Sequence, residues 1–138
     1  MQFTHNGFTA FSESKNALQG GEEVPEKGLF SEAYFVFKVG NLVLGSFRMS
    51  PMPGCCGVVI SHDTHLNPQH RNSGYSDRFR ELKEALAKHL GYSVVIATTQ
   101  MHNLPAVGNM YKSKYNMVDT FKNSRTNNLI GIGIKHLT

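Results

Sequence analysis

A loop rich in small side chains is the clearest candidate binding site in this sequence. Four such residues follow a hydrophobic run and precede an amphipathic segment: Asn72, Ser73, Gly74 and Ser76. Small side chains let a ligand approach the backbone, and the first turn of a helix presents unpaired N–H groups at the positive end of its dipole. The stretch therefore predicts a site for an anion such as phosphate. The alternative is a glycine that only turns the chain between a strand and a helix.

A second candidate group lies at the end of the hydrophobic run, where His62, Asp63 and His65 occur within four residues. Side chains two apart in a strand share a face, so Asp63 and His65 are predicted on one side and His62 on the other. A carboxylate that orients an imidazole is suited to general-base chemistry near neutral pH. The alternative is a polar strand end in solvent. The spacing does not indicate a metal site.

Hydrophobic periodicity predicts the elements that would position both groups. The β-branched run at residues 58–60 favours a buried central strand. An amphipathic helix follows, because apolar residues recur at helical spacing before a glycine: Phe79, Leu82, Leu86, Leu90 and Gly91. A second β-branched run at residues 92–99 completes a strand–helix–strand unit. Such a unit predicts parallel strands joined by a right-handed crossover.

The remaining segments predict an α/β (α+β) fold with the order β-β-β-α-β-α-β-β. Gly40 and Asn41 separate two β-rich runs and predict a hairpin, and residues 117–137 predict another. A helix is predicted within residues 104–115, with Asn103 as its N-cap. Residues 1–30 are weakly patterned, with a short helix predicted at residues 12–19 and a loop at residues 22–28.

Composition predicts a single domain over residues 1–138 and limits the classes of partner. The chain has 138 residues, a formal net charge of +4 and two cysteines, which are neighbours. Two adjacent cysteines make no disulfide framework, so a reducing, cytoplasmic setting is expected. The first residues have neither the basic start nor the continuous apolar stretch of a signal peptide, and no apolar run is long enough to span a membrane, so a secreted or membrane-embedded protein is not expected. The modest positive charge favours anionic ligands, and without a dense basic block it does not indicate nucleic acid.

The loop and the second predicted helix together resemble two motifs of the GNAT superfamily of acyl-coenzyme A-dependent N-acyltransferases. The segment 66–68 (Leu-Asn-Pro) precedes 71–76 (Arg-Asn-Ser-Gly-Tyr-Ser), which is similar to the family's loop motif. Asn103, Ala106 and Tyr111 are similar to a second, looser motif, although Tyr111 comes five residues after Ala106 rather than four. The resemblance covers about residues 33–123. The compact form and the short N-terminal region resemble those of small acetyltransferase-like proteins of bacteriophages.

The resemblance implies a mixed, twisted sheet flanked by helices, with acetyl-coenzyme A (acetyl-CoA) as acyl donor and no metal. The residues implied to bind the coenzyme are Leu66, Arg71, Asn72, Ser73, Gly74, Tyr75, Ser76 and Asn103. Backbone amides of the loop would hold the pyrophosphate, and Leu66 would lie near the thioester. Tyr75 is bulkier than the usual family residue, so it must pack sideways or close on the ligand.

The implied reaction is direct acetyl transfer to a primary amine of a small molecule or a protein. The implied general acid is Tyr111, with Tyr115 as second choice, and Asp63 with His65 would act as the base. Both tyrosines have an alternative role in packing. A homodimer is left open, and if the protein is phage-encoded its location is the host cytoplasm. The rival function is a non-catalytic GNAT-like binding or structural protein, such as a virion or host-interaction factor.

Overall fold

The computed structural model describes residues 1–13, 19–21, 24–28 and 32–137. Within these residues the chain forms ten strands, two α-helices and one short 3-10 helix. The strands are β1 (Gln2–His5), β2 (Phe8–Phe11), β3 (Gln19–Gly21), β4 (Val24–Gly28), β5 (Ala33–Val39), β6 (Leu42–Pro51), β7 (Val58–Leu66), β8 (Val94–Gln100), β9 (Asn116–Lys122) and β10 (Leu129–His136). The helices are α1 (Tyr75–His89) and α2 (Leu104–Lys112), and the 3-10 turn is Pro68–His70.

Eight strands form one mixed sheet in the order β1-β2-β5-β6-β7-β8-β10-β9, while β3 and β4 pair separately. Every neighbouring pair is antiparallel except β7 and β8, which are parallel and joined by α1. The predicted fold class and the predicted parallel pair are confirmed. The hairpin predicted at Gly40 and Asn41 is also confirmed, since Val39 pairs with Leu42 across that turn.

The N-terminal region contains more strand than the sequence pattern predicted. β1 and β2 form a hairpin in which Asn6 and Gly7 adopt positive φ angles of 50° and 84°. Asn-Gly is the most favourable dipeptide for a two-residue hairpin turn, so this signal was present in the sequence. The loop predicted at residues 22–28 is wrong in part, because β4 occupies Val24–Gly28. The helix predicted at residues 12–19 falls largely on residues 14–18, which lie outside the described residues.

The core fixes one face of α1 against the sheet, as the apolar stripe predicted. Phe79, Leu82 and Leu86 are buried, and the Phe79 ring lies 4.2 Å from the ring of Phe37 on β5. Burial of each such side chain contributes roughly 1.5–3 kcal/mol. This buried face packs against residues of β2, β5 and β6. The polar face next to it on α1 is directed toward β7 and β8.

The second helix lies within the predicted range of residues 104–115. α2 ends at Lys112, and its C-cap Ser113 donates its hydroxyl to the carbonyl of Asn109 at 2.6 Å. Lys114 then adopts a φ of 67°, which turns the chain before Tyr115 and β9. No helix in the described part of the chain is long and apolar enough to cross a membrane.

Candidate active site

The parallel strands β7 and β8 separate part of the way along their length. They pair from Val58 with Val94 to Ser61 with Ala97. Beyond that point β7 remains paired with β6, and β8 remains paired with β10. Backbone groups on the facing edges, at residues 62–66 and 98–100, are therefore directed toward an opening in the sheet. Such groups need partners, so the opening is suited to an extended ligand that bonds like a strand.

A cleft of about 700 Å³ lies over this opening, between α1 and α2. Ser76, Arg80 and Lys83 line it from α1, and Asn103 lines it from the start of α2. The volume falls within the roughly 300–1,000 Å³ typical of ligand pockets. Sequence reasoning missed Arg80 and Lys83, although with Ser76 they form a polar stripe at spacings of four and three beside the apolar stripe of α1.

The start of α1 retains unpaired donors. Gly74 is the N-cap residue with a φ of 81°, and no side chain in the described part of the chain caps this first turn. Asn72 also has a positive φ, of 60°. A Cβ atom added at Gly74 would meet nothing within 4 Å, so the glycine is required by its left-handed backbone and not by crowding. This geometry exposes the N–H groups that could bind an anion.

The rest of the loop is positioned by Arg71 and Tyr75. The Nε of Arg71 donates to the carbonyl of Leu66 at 2.9 Å and so joins the end of β7 to the start of the loop. Tyr75 packs sideways in edge-to-face contacts, with its ring centroid 6.0 Å from that of Phe8 on β2 and 6.1 Å from that of His70. Of the loop and strand residues predicted to bind the coenzyme, Leu66 and Ser76 line the cleft, whereas Tyr75 packs against the protein.

A β-bulge in β7 changes which side chains lie beside Asp63. Phe47 on β6 lies opposite two residues of β7, Asp63 and Thr64, and Asp63 has a φ of 51°. The bulge interrupts the alternation of side chains, so His62 and Asp63 both line the cleft. Asp63 Oδ2 lies 3.4 Å from Nδ1 of His62, while His65 is exposed and outside the cleft. Strict alternation predicts that Asp63 shares a face with His65. The structure instead places Asp63 beside His62.

Polar groups from neighbouring elements hold this pair. Nε2 of His62 lies 2.8 Å from the hydroxyl of Ser50, and Nε of Arg48 lies 3.5 Å from Asp63 Oδ2. Arg48 also forms an ion pair with Glu32. His62 therefore has a hydroxyl on one ring nitrogen and a carboxylate near the other, which is an arrangement that can fix the orientation of an imidazole.

The inner face of α2 carries a different residue from the predicted acid. The residues of this helix and its C-cap that line the cleft recur at helical spacing: Ala106, Asn109, Met110 and Ser113. Tyr111 is rotated by about 100° from Met110. Its side chain is 58% exposed and lies outside the cleft. Tyr115, beyond the end of α2, lines the cleft, and burial raises the pKa of its hydroxyl above that of a free phenol.

Asn103 serves as the predicted cap of α2 and also lies in the cleft. Its Oδ1 accepts a hydrogen bond from the N–H of Ala106 at 3.3 Å. The side chain that caps the helix is therefore also available to a ligand at the edge of the cleft. The predicted cap is confirmed, and contact with a ligand stays a prediction.

Charged side chains link α1 to α2 beside the cleft. Asp77 accepts a hydrogen bond from Arg80 at 2.9 Å and lies 3.6 Å from Nζ of Lys112 on α2. The hydrogen bond from Arg80, followed by the charge of Lys112, lowers the pKa of Asp77. Deeper in the cleft, burial lowers the pKa of Lys83 to about 8. These contacts tie the first turn of α1 to the last turn of α2.

The fold is similar to that of solved acetyltransferases, among them a protein of the GNAT family. A GNAT-family protein from Desulfovibrio desulfuricans superposes with a TM-score of 0.68 at 12% identity, over 78% of this chain and 70% of its own. The spermidine/spermine N-acetyltransferase of Vibrio cholerae gives 0.68 at 11% identity, over 78% and 68%. A ribosomal-protein alanine N-acetyltransferase of Escherichia coli gives 0.66 at 8% identity, over 79% and 71%.

No protein-family model matches the sequence, and no curated protein matches it. At these identities the likeness to solved structures establishes the fold, which is the fold that the loop motif implied. The activity has to be argued from the residues of the cleft.

Proposed function

We propose that the cleft binds acetyl-CoA and that the protein transfers the acetyl group to a primary amine. The observation that carries the proposal is the separation of β7 and β8 below a cleft that reaches the uncapped start of α1. Strand edges with unpaired backbone groups suit the extended pantetheine arm, and helix N–H groups suit the pyrophosphate. Both features border one cavity, because residues of the separated strands and Ser76 of the first turn of α1 line it.

The residues around the cavity fit this coenzyme. Gly74 leaves the first-turn N–H groups of α1 open to phosphate, and Arg71 and Arg80 place positive charge nearby. Leu66 lies at the end of β7, where its backbone would contact the arm near the thioester. Asn103 would contact the coenzyme from the side of α2. When bound, acetyl-CoA supplies an acetyl thioester whose carbonyl carbon a neutral amine can attack.

His62 and Asp63 are the groups we place on the proton-accepting side of the reaction. An amine attacks only when it is neutral, so a base must accept a proton from it. Asp63 Oδ2 lies 3.4 Å from Nδ1 of His62, so the carboxylate can orient the imidazole as a proton acceptor. His65 is not assigned this role because its side chain lies outside the cleft.

Tyr115 is the residue we place as donor toward the departing sulfur. Its raised pKa keeps the hydroxyl protonated at neutral pH, and it faces the cleft. We expect Tyr115→Phe to lower the rate of acetyl transfer by about tenfold or more, as for loss of a general acid. Tyr111→Phe is the matched control and should leave the rate unchanged because Tyr111 is exposed. The reverse ranking of the two variants would contradict the assignment.

The test of the whole proposal is calorimetric titration with acetyl-CoA, followed by a transfer assay. The amine panel should contain a polyamine and a peptide with a free N-terminal alanine, since similar folds act on acceptors of these kinds. Saturable binding and release of free thiol with one acceptor would support the proposal. Failure to bind at millimolar ligand would overturn it.

The rival proposal is a non-catalytic binding protein that uses the same fold. Met110 on the inner face of α2, with Tyr111 turned to solvent, is the observation that favours it. It predicts acetyl-CoA binding without thiol release for any amine of the panel.

A further inference from the structure

Lys83 places a primary amine inside the cleft itself. Its Nζ donates a hydrogen bond to the hydroxyl of Thr64 at 3.0 Å and lies 5.1 Å from the centroid of the Phe79 ring. All three residues line the cleft. Thr64 belongs to the part of β7 that has separated from β8, so the amine lies beside the opening in the sheet.

The surroundings of Lys83 differ from those of two nearby lysines. Lys112 lies 3.6 Å from Asp77, and Lys135 lies 2.6 Å from Glu84. No carboxylate of the described residues lies within ion-pair distance of Lys83. A lysine in a partly buried position, held by a hydroxyl and an aromatic ring, is not stabilised in its charged form as a paired lysine is.

Other charged and titratable groups face the same space, and their net effect leaves Lys83 partly neutral. Arg80 on α1 disfavours the charged amine, and Glu84 on α1 favours it. His62 on β7 and Tyr115 after α2 also line the cleft, as does Asp63. Burial dominates and lowers the pKa of Lys83 to about 8, so about half of the amine is neutral at that pH.

We propose that Lys83 is a self-acetylation site, which accepts the acetyl group of acetyl-CoA bound in the same cleft. The inference rests on the proposed function, since it requires the coenzyme to occupy this cavity. The neutral Nζ attacks the thioester carbonyl carbon, a C–N bond forms and the C–S bond breaks. The electron pair of the C–S bond leaves with sulfur, and one proton from Nζ passes to that thiolate. The products are an amide on Lys83 and free coenzyme A.

Acetylation of Lys83 would weaken later binding of acetyl-CoA in the cleft. The amide carries no positive charge, and its added carbonyl and methyl groups occupy space next to Thr64 and Phe79. We therefore expect the acetylated protein to bind acetyl-CoA at least about tenfold more weakly than the unmodified protein, or about 1.4 kcal/mol. One modified lysine per chain should accumulate.

The experiment is incubation of the full chain with acetyl-CoA, followed by intact-protein mass spectrometry and peptide mapping. Lys88 is the matched internal control, because it is an exposed lysine on the same helix. We expect acetyl occupancy at Lys83 to exceed that at Lys88 by about tenfold or more, and to rise with pH to half its maximum near pH 8. Excess free coenzyme A should suppress the signal at Lys83 and leave Lys88 unchanged. Acetyl phosphate, which lacks the coenzyme, should remove the preference.

Two lysine-to-arginine variants test whether Lys83 is the acetylated residue. Lys83→Arg should abolish the added acetyl group at this site, while Lys88→Arg should leave occupancy at Lys83 unchanged. Saturable binding of acetyl-CoA with equal occupancy at the two lysines, or with none, would overturn the inference and leave the proposed function standing. Absence of binding would overturn both.

Discussion

The two helices of the cleft begin in contrasting ways. Before α1, Gly74 is left-handed, and no side chain in the described part of the chain caps the first turn. Before α2, Asn103 accepts the N–H of Ala106, and Pro105 has no N–H to satisfy. Both helices start near the carboxyl ends of the separated parallel strands. The difference indicates that the start of α1 keeps its donors for a ligand, whereas the start of α2 is satisfied within the protein.

The largest expected loss of acetyl-CoA affinity comes from a negative charge in the first turn of α1. Ser76 lines the cleft in that turn, and we expect Ser76→Glu to weaken acetyl-CoA binding by about 100-fold, or about 2.7 kcal/mol. The reason is repulsion between the new carboxylate and the phosphates, which is worth roughly 3 kcal/mol at 5 Å and an effective dielectric constant of about 20. Calorimetric titration measures the loss.

The matched control places the same charge at the start of α2. Pro105 is exposed in the first turn of that helix and does not line the cleft, so Pro105→Glu should change the affinity by less than about threefold. Ser76→Ala should also bind like the wild type. Equal losses for the two glutamate variants would mean that the two helix starts do not differ toward the ligand.

The next largest loss of acetyl-CoA affinity is expected from substitution of Gly74, whose backbone is left-handed. Alanine at a φ of 81° costs roughly 1–2 kcal/mol, and relief of that strain would redirect the N–H groups of the loop. We expect Gly74→Ala to lower acetyl-CoA affinity about tenfold. Gly74→Asn is the control, because asparagine tolerates this conformation. A Gly74→Ala variant with wild-type affinity would show that the loop does not bind through its backbone geometry.

Removal of the cap on α2 should affect stability more than binding. Asn103→Ala leaves the N–H of Ala106 without its partner and should lower the free energy of unfolding by about 1 kcal/mol. Asn103→Ser should retain most of the cap. Urea denaturation measures the loss for each variant. If Asn103→Ala instead lost affinity without losing stability, contact with the coenzyme would be its main role.

Features encoded by local periodicity could be predicted from the sequence. The apolar stripe from Phe79 to Leu86 predicted α1 and its buried face, and β-branched runs on either side predicted the parallel pair. The cap at Asn103 was equally local. The pattern of each helix or strand is set by residues within a few positions of one another, so it can be identified without knowledge of the partner elements.

Features that depend on a distant partner could not be predicted in the same way. The bulge at Asp63 exists because Phe47 of β6 faces two residues, and no local pattern marks that register. It places His62, and not His65, beside Asp63 in the cleft. Tyr111 lies outside the cleft for a different reason: helical rotation separates it from the cleft-lining stripe through Ala106 and Met110. The signal was available, but the resemblance to the family motif favoured the tyrosine.

The smallest expected effect concerns Asp77, whose ion pair with Lys112 links the start of α1 to the last turn of α2. Its carboxyl pKa is lowered in the folded protein, so its stabilising contribution is present above the ordinary pKa of 3.8 and is lost as pH falls through the lower folded value. We expect Asp77→Asn to reduce the free energy of unfolding by a few tenths of a kcal/mol at neutral pH, as for an exposed pair. At about pH 3 or below the difference should shrink toward zero. Glu81→Gln is the control, because Glu81 pairs with Arg78 on α1 itself and forms no ion pair with α2 within the described residues. Denaturation curves at both pH values would measure these differences, and an Asp77→Asn effect that persists unchanged in acid would show that the carboxylate charge does not link the two helices.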